Sequence, residues 1–353
     1  MYVCGITPYD TTHLGHAFTY VFFDALRRFL TYGGYDVIYT QNVTDIDDDI
    51  LKRAKEQNRN WKELGDFWTK RYLSDMKRLN VLPSTNFVKA SSTMDKIIEF
   101  ATALLFKGVA YQKNGNVYFE VNKFPPYGSL SKIKKEEMLK LARERGGNPD
   151  DPLKKDPLDF ILWQKSKEDE PSWDSPFGKG RPGWHIECSS MVCKYLGDQI
   201  DIHGGGYDLI FPHHESEIAQ SEVATGKVPF VRYFVHTAMT RFKGEKMSKS
   251  LGNLVLVSDL LNKYSANAIR WMLLSHHYRS YFEYNEEELK SIELIVQNTL
   301  KEDSNNSRQD TILLQGFEKA MNDDMNTPLA LSLLKKSKPS SSKRKILTIL
   351  GFK

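Results

Sequence analysis

The chain has 353 residues, 40% hydrophobic and 27% charged, with 49 Lys and Arg against 45 Asp and Glu for a formal net charge of +4. This composition excludes a disordered, collagenous or coiled-coil chain, and the length predicts two or three globular domains. The charge permits nucleic acid as a partner without arguing for it. Three cysteines (Cys4, Cys188 and Cys193) argue against a disulfide framework and for a reducing compartment. No apolar run approaches the roughly 18 residues of a membrane span, and MYVCGITPYD lacks the regions of a signal peptide. The expectation is a soluble cytoplasmic protein with no membrane partner.

Tyr2, Val3 and Cys4 read as a short strand ended by Gly5, so either the chain begins abruptly or a short N-terminal piece is missing. Pro8 and Asp10 mark a loop. Phe18, Val21, Phe22, Ala25, Leu26 and Phe29 recur at helical spacing, predicting a helix over 16–30 that Gly33 and Gly34 stop. Residues 36–40 are β-rich and predict a second, parallel strand. Such a strand–helix–strand unit suggests a nucleotide-binding α/β sheet.

Residues 50–110 read as largely helical. Residues 111–182 change character, with frequent Pro and Gly and a strand at 116–121, and look like an insertion between two halves of the sheet. Strands resume at 199–203 and 231–236. Beyond Ser258 the chain reads as helical, including 266–274 and 286–300, with a polar loop at 302–310. The basic, Ser-rich run at 335–345 could contact phosphates, but a solvated linker is the better reading. The expected organisation is a first catalytic half over 1–110, a connective insertion over 111–182 and a second half over 183–240. A connecting region over 241–262 and a helical bundle over 263–353 would follow.

Three motifs carry chemistry. His13-Leu14-Gly15-His16 lies where the first helix starts. Two imidazoles three apart there can donate to phosphate oxygens beside the helix dipole, and Gly15 leaves room for a nucleotide. Alone, so short a match is better explained by surface histidines. Lys246-Met247-Ser248-Lys249-Ser250 places two lysines three apart, able to neutralise a triphosphate and charge developing at its α-phosphorus. Taken singly it could be a solvated basic loop. In this order and 230 residues apart, the two are similar to the HIGH and KMSKS signatures of class I aminoacyl-tRNA synthetases. The third motif is a set of metal-ligand types: Cys4, Cys188, His213 and Glu217. His213 and Glu217 share one face of a helix, and two thiolates, an imidazole and a carboxylate suit zinc. Spacing alone, without a Cys-x-x-Cys pair, favours core cysteines and a helix-capping histidine. Asp45, Asp47, Asp49 and Glu56 superficially match a calcium loop, but Ile50 stands where that loop needs Gly.

The segments MYVCG, NVTDIDDDI, GRPGWHIECSSM, DIHGGGYDLIFPHHESEIAQSE and GEKMSKSLGN, in this order, resemble the cysteinyl-tRNA synthetase family from residue 1 to about 330. The resemblance implies a Rossmann-like class I α/β catalytic domain with an insertion, followed by a C-terminal helical bundle. It implies one Zn2+ per chain on Cys4, Cys188, His213 and Glu217, which reverses the balance left by spacing. It further implies a cysteine pocket lined by Thr44 and Trp184. ATP, with Mg2+, would meet His13, Gly15, His16, His203, Gly205, Asp208, Lys246 and Lys249, of which His13, His16, Lys246 and Lys249 would be catalytic. The implied activity is zinc-dependent activation of cysteine to cysteinyl-adenylate and its transfer to tRNA(Cys), by a monomer. Zinc suits this task because cysteine and serine differ by one atom, which an apolar pocket separates poorly, whereas a soft thiolate binds zinc far better than a hydroxyl does. No editing domain is then required.

Two features depart from that family. The first loop, GITPYDTTHLGHA, is closer to the sister cysteine:glucosaminyl-inositol ligases of mycothiol synthesis, whereas Glu217 and the DIHGGG segment point back to the synthetases. After Met325-Asn326-Thr327-Pro328-Leu329-Ala330 only about two dozen residues follow, so a separate anticodon-binding domain is expected to be absent. A non-catalytic paralogue would have lost signature or zinc residues, and all of them are present.

Overall fold

The computed structural model describes residues 1–247, 251–300 and 307–353. Lys249 and most of the expected 302–310 loop therefore lie outside the described residues. The chain divides into two compact units. The first comprises Met1–Tyr9, Ile38–Phe67 and Ser84–Val235; the second comprises Asp10–Val37, Trp68–Pro83 and His236–Lys353. Among the described residues no helix is long and apolar enough to cross a membrane.

The chain opens with β1 (Tyr2–Ile6), α1 (Leu14–Tyr32) and β2 (Thr40–Val43), then α2 (Asp48–Glu56), α3 (Trp61–Arg78), β3 (Asn86–Lys89) and α4 (Met94–Phe106). Next come β4 (Ala110–Lys113), β5 (Asn116–Phe119), α5 (Lys135–Glu144), β6 (Phe160–Lys165) and β7 (Gly180–Pro182). They are followed by α6 (Trp184–Leu196), β8 (Ile200–Gly206), α7 (Glu215–Thr225) and β9 (Val231–Thr237). The remainder is β10 (Thr240–Phe242), β11 (Glu245–Lys246), α8 (Val257–Lys263), α9 (Ala266–Leu274), β12 (Phe282–Glu283), α10 (Glu286–Thr299), α11 (Ser307–Asn322), α12 (Thr327–Lys336) and α13 (Ser341–Ile349).

The first unit is built on a five-stranded sheet of order β3-β2-β1-β8-β9, in which β1 runs parallel to both β2 and β8. The chain leaves β1 toward one edge and returns on its other side, so the carboxyl ends of β1 and β8 flank the switch point where doubly wound sheets bind ligands. β2 begins at Thr40, four residues later than the β-rich stretch at 36–40 predicts. The register pairs Tyr2 with Thr40, which puts residues 36–38 ahead of the paired stretch and leaves Ile38 half exposed, while all four β2 residues are buried. Gly5 is required where β1 passes β2, because a Cβ there would lie 1.6 Å from the Asn42 carbonyl oxygen.

A second, four-stranded sheet, β4-β5-β6-β7, is antiparallel throughout. Its first hairpin turns at Asn114 and Gly115, both at positive φ, as a two-residue Asn-Gly turn demands. The strand expected over 116–121 stops at Phe119, and Val121 opens a single 3-10 turn. Phe119 stacks on Phe160 in a core shared with Ile186, Phe211 and Ala219, which anchors α6 and α7. A smaller core of Tyr2, Cys4, Cys188, Met191, Val192 and Phe230 joins α6 to the main sheet. Two of the three cysteines are thus core residues and candidate ligands at once.

In the second unit, α1 starts at His13, whose ring caps the helix. A buried ion pair holds its middle: Arg270 of α9 meets Asp24, donates through Nε to the Leu350 carbonyl at 2.6 Å and through Nη1 to the Leu79 carbonyl at 3.2 Å. β11, β10 and β12 form a three-stranded sheet. The helix over 266–274 coincides with α9, and the one over 286–300 ends at Thr299. Two expectations need correction. Residues 307–310 begin α11 instead of completing a loop. The 335–345 run is no linker: it contributes the end of α12 and most of α13. Ser340 caps α13 by accepting from the Lys343 amide, Lys343 is buried with Nζ 3.2 Å from the Ser337 carbonyl, and Ile346 is fully buried. Composition concealed a short helix whose apolar side has a core to cover.

Candidate functional site

In the first unit, Cys4, Cys188, His213 and Glu217 converge, each buried, with ligand atoms all within 4.8 Å of one another. They arrive from β1, α6, the irregular turn before α7, and α7 itself. The two sulfurs lie 3.9 Å apart, His213 Nε2 is 3.1 Å from Glu217 Oε1, and Cys4 Sγ is 3.8 Å from the same oxygen. Burial, then the neighbouring Cys188, pushes the Cys4 thiol well above its usual range. Burial likewise holds His213 well below the usual imidazole range, so its ring is neutral. Two soft thiols, a neutral imidazole and a carboxylate, closed off from water, fit a tetrahedral zinc and suit calcium or magnesium poorly.

The same pocket holds a second, overlapping set: Cys4, His203, His214 and Glu217. His203 Nε2 is 2.8 Å from Glu217 Oε2, and His214 Nε2 is 3.4 Å from Cys4 Sγ. Glu217 therefore engages one imidazole with each oxygen. His203, expected at the nucleotide, is completely buried in this cluster. The register explains its place, since Tyr2 pairs with His203 and Val3 with Gly204 across β1 and β8.

Trp184 stacks on His213, with ring centroids 4.3 Å apart. His185 Nδ1 lies 2.9 Å from His213 Nδ1, and burial, then Lys154, brings the His185 ring down to about 3. The sequence argument missed His185 and His214. One signal was available: residues 185–214 contain four of the nine histidines. Thr44 follows β2; its backbone amide donates to the Ile6 carbonyl at 3.0 Å and its hydroxyl accepts from Asn42 Nδ2 at 3.2 Å. Glu187, beside Cys188, is completely buried, and burial raises its carboxyl well above the usual range. Gly205 is buried, and a Cβ there would meet Leu209 Cδ1 at 2.7 Å. The Asp208 carbonyl accepts from Arg145 Nη1 at 2.5 Å.

In the second unit, His13 Nδ1 accepts from the Gly15 amide at 3.1 Å. That bond leaves the ring proton of neutral His13 on Nε2, a tautomer able to donate. His16 stacks on His13 with centroids 3.8 Å apart, and burial, then His13, keeps it well below the usual range and uncharged. Gly15 is needed between them: a Cβ there would lie 2.9 Å from the His13 ring and 3.3 Å from Thr240 Oγ1. The backbone of Lys246 pairs with Arg241 in β11. Lys249 lies outside the described residues.

Residues 1–293 match the family described as tRNA synthetases class I (C) catalytic domain, and residues 316–336 match the DALR domain. Among similar proteins, the cysteine–tRNA ligase of Thermococcus onnurineus is 54% identical over 287 residues, covering 81% of this chain and 59% of that protein. The cysteine–tRNA ligase of Pyrococcus furiosus is 53% identical over 82% of this chain and 60% of its own length. That of Thermodesulfovibrio yellowstonii is 46% identical over 95% of this chain and 72% of its length. The chain thus spans about three fifths of the length of the first two relatives. A methionyl-tRNA synthetase of Mycobacterium tuberculosis, solved with methionyl-adenylate, matches with a TM-score of 0.70 at 15% identity, covering 99% of this chain and 87% of that one. At that identity the match speaks to the fold alone.

Proposed function

Because the chain belongs to the class I tRNA synthetases of the cysteine type, we propose that it activates cysteine with ATP and transfers it to tRNA(Cys). One observation carries the reading: a buried set of two thiols, an imidazole and a carboxylate gathered beside Cys4 of β1. Cys4, Cys188, His213 and Glu217 would hold one zinc ion per chain. When bound there, zinc supplies a soft Lewis acid that takes a thiolate in preference to a hydroxyl, and so separates cysteine from serine. Trp184 and Thr44 would line the amino-acid pocket.

The substrate carboxylate attacks the ATP α-phosphorus, pyrophosphate leaves, and cysteinyl-adenylate forms. A terminal hydroxyl of tRNA then attacks its carbonyl carbon and AMP leaves. Neither step needs a side-chain nucleophile, so the work is positioning and charge stabilisation. His13, through Nε2–H, and neutral His16 would donate to phosphate oxygens at the start of α1. Gly15 keeps that approach open. Lys246 and Lys249 would neutralise the departing pyrophosphate alongside Mg2+. Gly205 and Asp208 would meet the nucleoside, and His203 is reassigned from ATP to the support of Glu217. The reading includes a cytoplasmic monomer and residues 111–182 as an insertion in the catalytic domain.

The test offers tRNA and glucosaminyl-inositol in parallel, with ATP, cysteine and zinc. Cysteine esterified to tRNA supports the reading; cysteine found only on the amino sugar overturns it.

A further inference from the structure

We propose that His185 is a positioning residue that sets the tautomer of His213 and thereby the affinity of the buried cluster for its metal; this rests on reading His213 as a ligand. The two Nδ1 atoms are 2.9 Å apart. At that distance one ring donates and the other accepts, so a single proton lies between them. His213 Nε2 faces the cluster, 3.1 Å from Glu217 Oε1. Without an ion, a proton on that Nε2 satisfies Glu217, and His213 Nδ1 must then accept from His185. To offer Nε2 to a metal, His213 must carry its proton on Nδ1, and that proton needs an acceptor in a buried site. His185 Nδ1 is placed to be that acceptor.

Aromatic neighbours fix the orientation of the His185 ring. Its ring meets Phe160 edge-on with centroids 5.5 Å apart and lies beside Trp184, which itself stacks on His213. The ring also borders a small cleft whose lining includes Tyr127, Lys154 and Asp159 among mostly apolar side chains. Partners of this kind typically change metal affinity 10–100-fold when removed.

The test is a zinc titration against a chromophoric chelator on the full chain, for wild type, His213→Ala, His185→Phe and His185→Asn. His185→Phe keeps the packing against Phe160 and removes the acceptor; Asn restores an acceptor oxygen near the Nδ1 position. The expected result is affinity lowered about 10–100-fold in His185→Phe and returned to near wild type in His185→Asn. Thermal unfolding separates this from a packing role, which would lower the melting temperature of a variant without affinity following the acceptor. If His213→Ala binds zinc as wild type does, the ligand reading fails. If His213→Ala loses zinc while His185→Phe keeps full affinity, the positioning proposal alone fails.

Discussion

His203 Nε2 lies 2.8 Å from Glu217 Oε2, and neither side chain has any surface open to solvent. The contact fixes one oxygen of Glu217 while the other faces His213 and Cys4. Replacing His203 by Phe should therefore weaken zinc binding about 10–100-fold while leaving the KM for ATP within a factor of about two. Paired zinc titration and ATP kinetics check this. A raised KM for ATP with zinc affinity intact would return the ring to the nucleotide.

Cys188 shares its core with Cys4, and the two sulfurs lie 3.9 Å apart. Cys188→Ser exchanges a soft ligand for a hard one. It should lose bound zinc, measured by metal analysis, together with the preference for cysteine over serine. Full zinc occupancy with unchanged kinetics would refute the ligand assignment.

Much of this site was legible because the chemistry lies in contiguous motifs. Cys4, Cys188, His213 and Glu217 are separated by up to 213 residues, so spacing alone could not join them; the collinear family pattern did. What escaped was lateral contact. That His203 would face Glu217 depends on the β1–β8 register, which no local pattern encodes. That His185 would meet His213 depends on how α6 packs against the turn before α7. Boundaries failed for similar reasons: β propensity at 36–40 yielded to the pairing of Tyr2 with Thr40, and the basic composition at 335–345 concealed a capped helix.

Asp47 caps α2 by accepting from the Asp49 amide at 2.8 Å, and burial raises its carboxyl to about 6, against the opposing pull of that bond. Between about pH 4 and pH 6 the folded chain thus keeps a proton that the unfolded chain has released. Stability from this group is full below pH 4 and is lost as the pH rises through 6. Asn caps a helix as well as Asp does, so Asp47→Asn should raise the melting temperature at pH 7 and leave it nearly unchanged at pH 4. Equal shifts at both pH values would contradict the assignment.

Asp24 and Arg270 form a buried pair in the second unit; Asp24 also accepts from Arg28 Nε and from the Leu82 amide, each at 2.9 Å. Removing Arg270 leaves the buried Asp24 carboxylate with Arg28 as its remaining cation, at a cost of up to about 3–5 kcal/mol. Arg270→Met should lower stability by that order in urea unfolding. Arg270→Met combined with Asp24→Asn should cost less than Arg270→Met alone, because the buried, under-compensated carboxylate is gone. A double variant as unstable as the sum of the two single variants would show the pair uncoupled.

The central claim is that a buried sulfur-containing metal site selects cysteine for activation, and ATP–pyrophosphate exchange measures this most directly. The account predicts exchange that requires cysteine, ignores serine, disappears on zinc chelation and returns when zinc is restored. Exchange that proceeds equally with serine, or is indifferent to zinc, would contradict it.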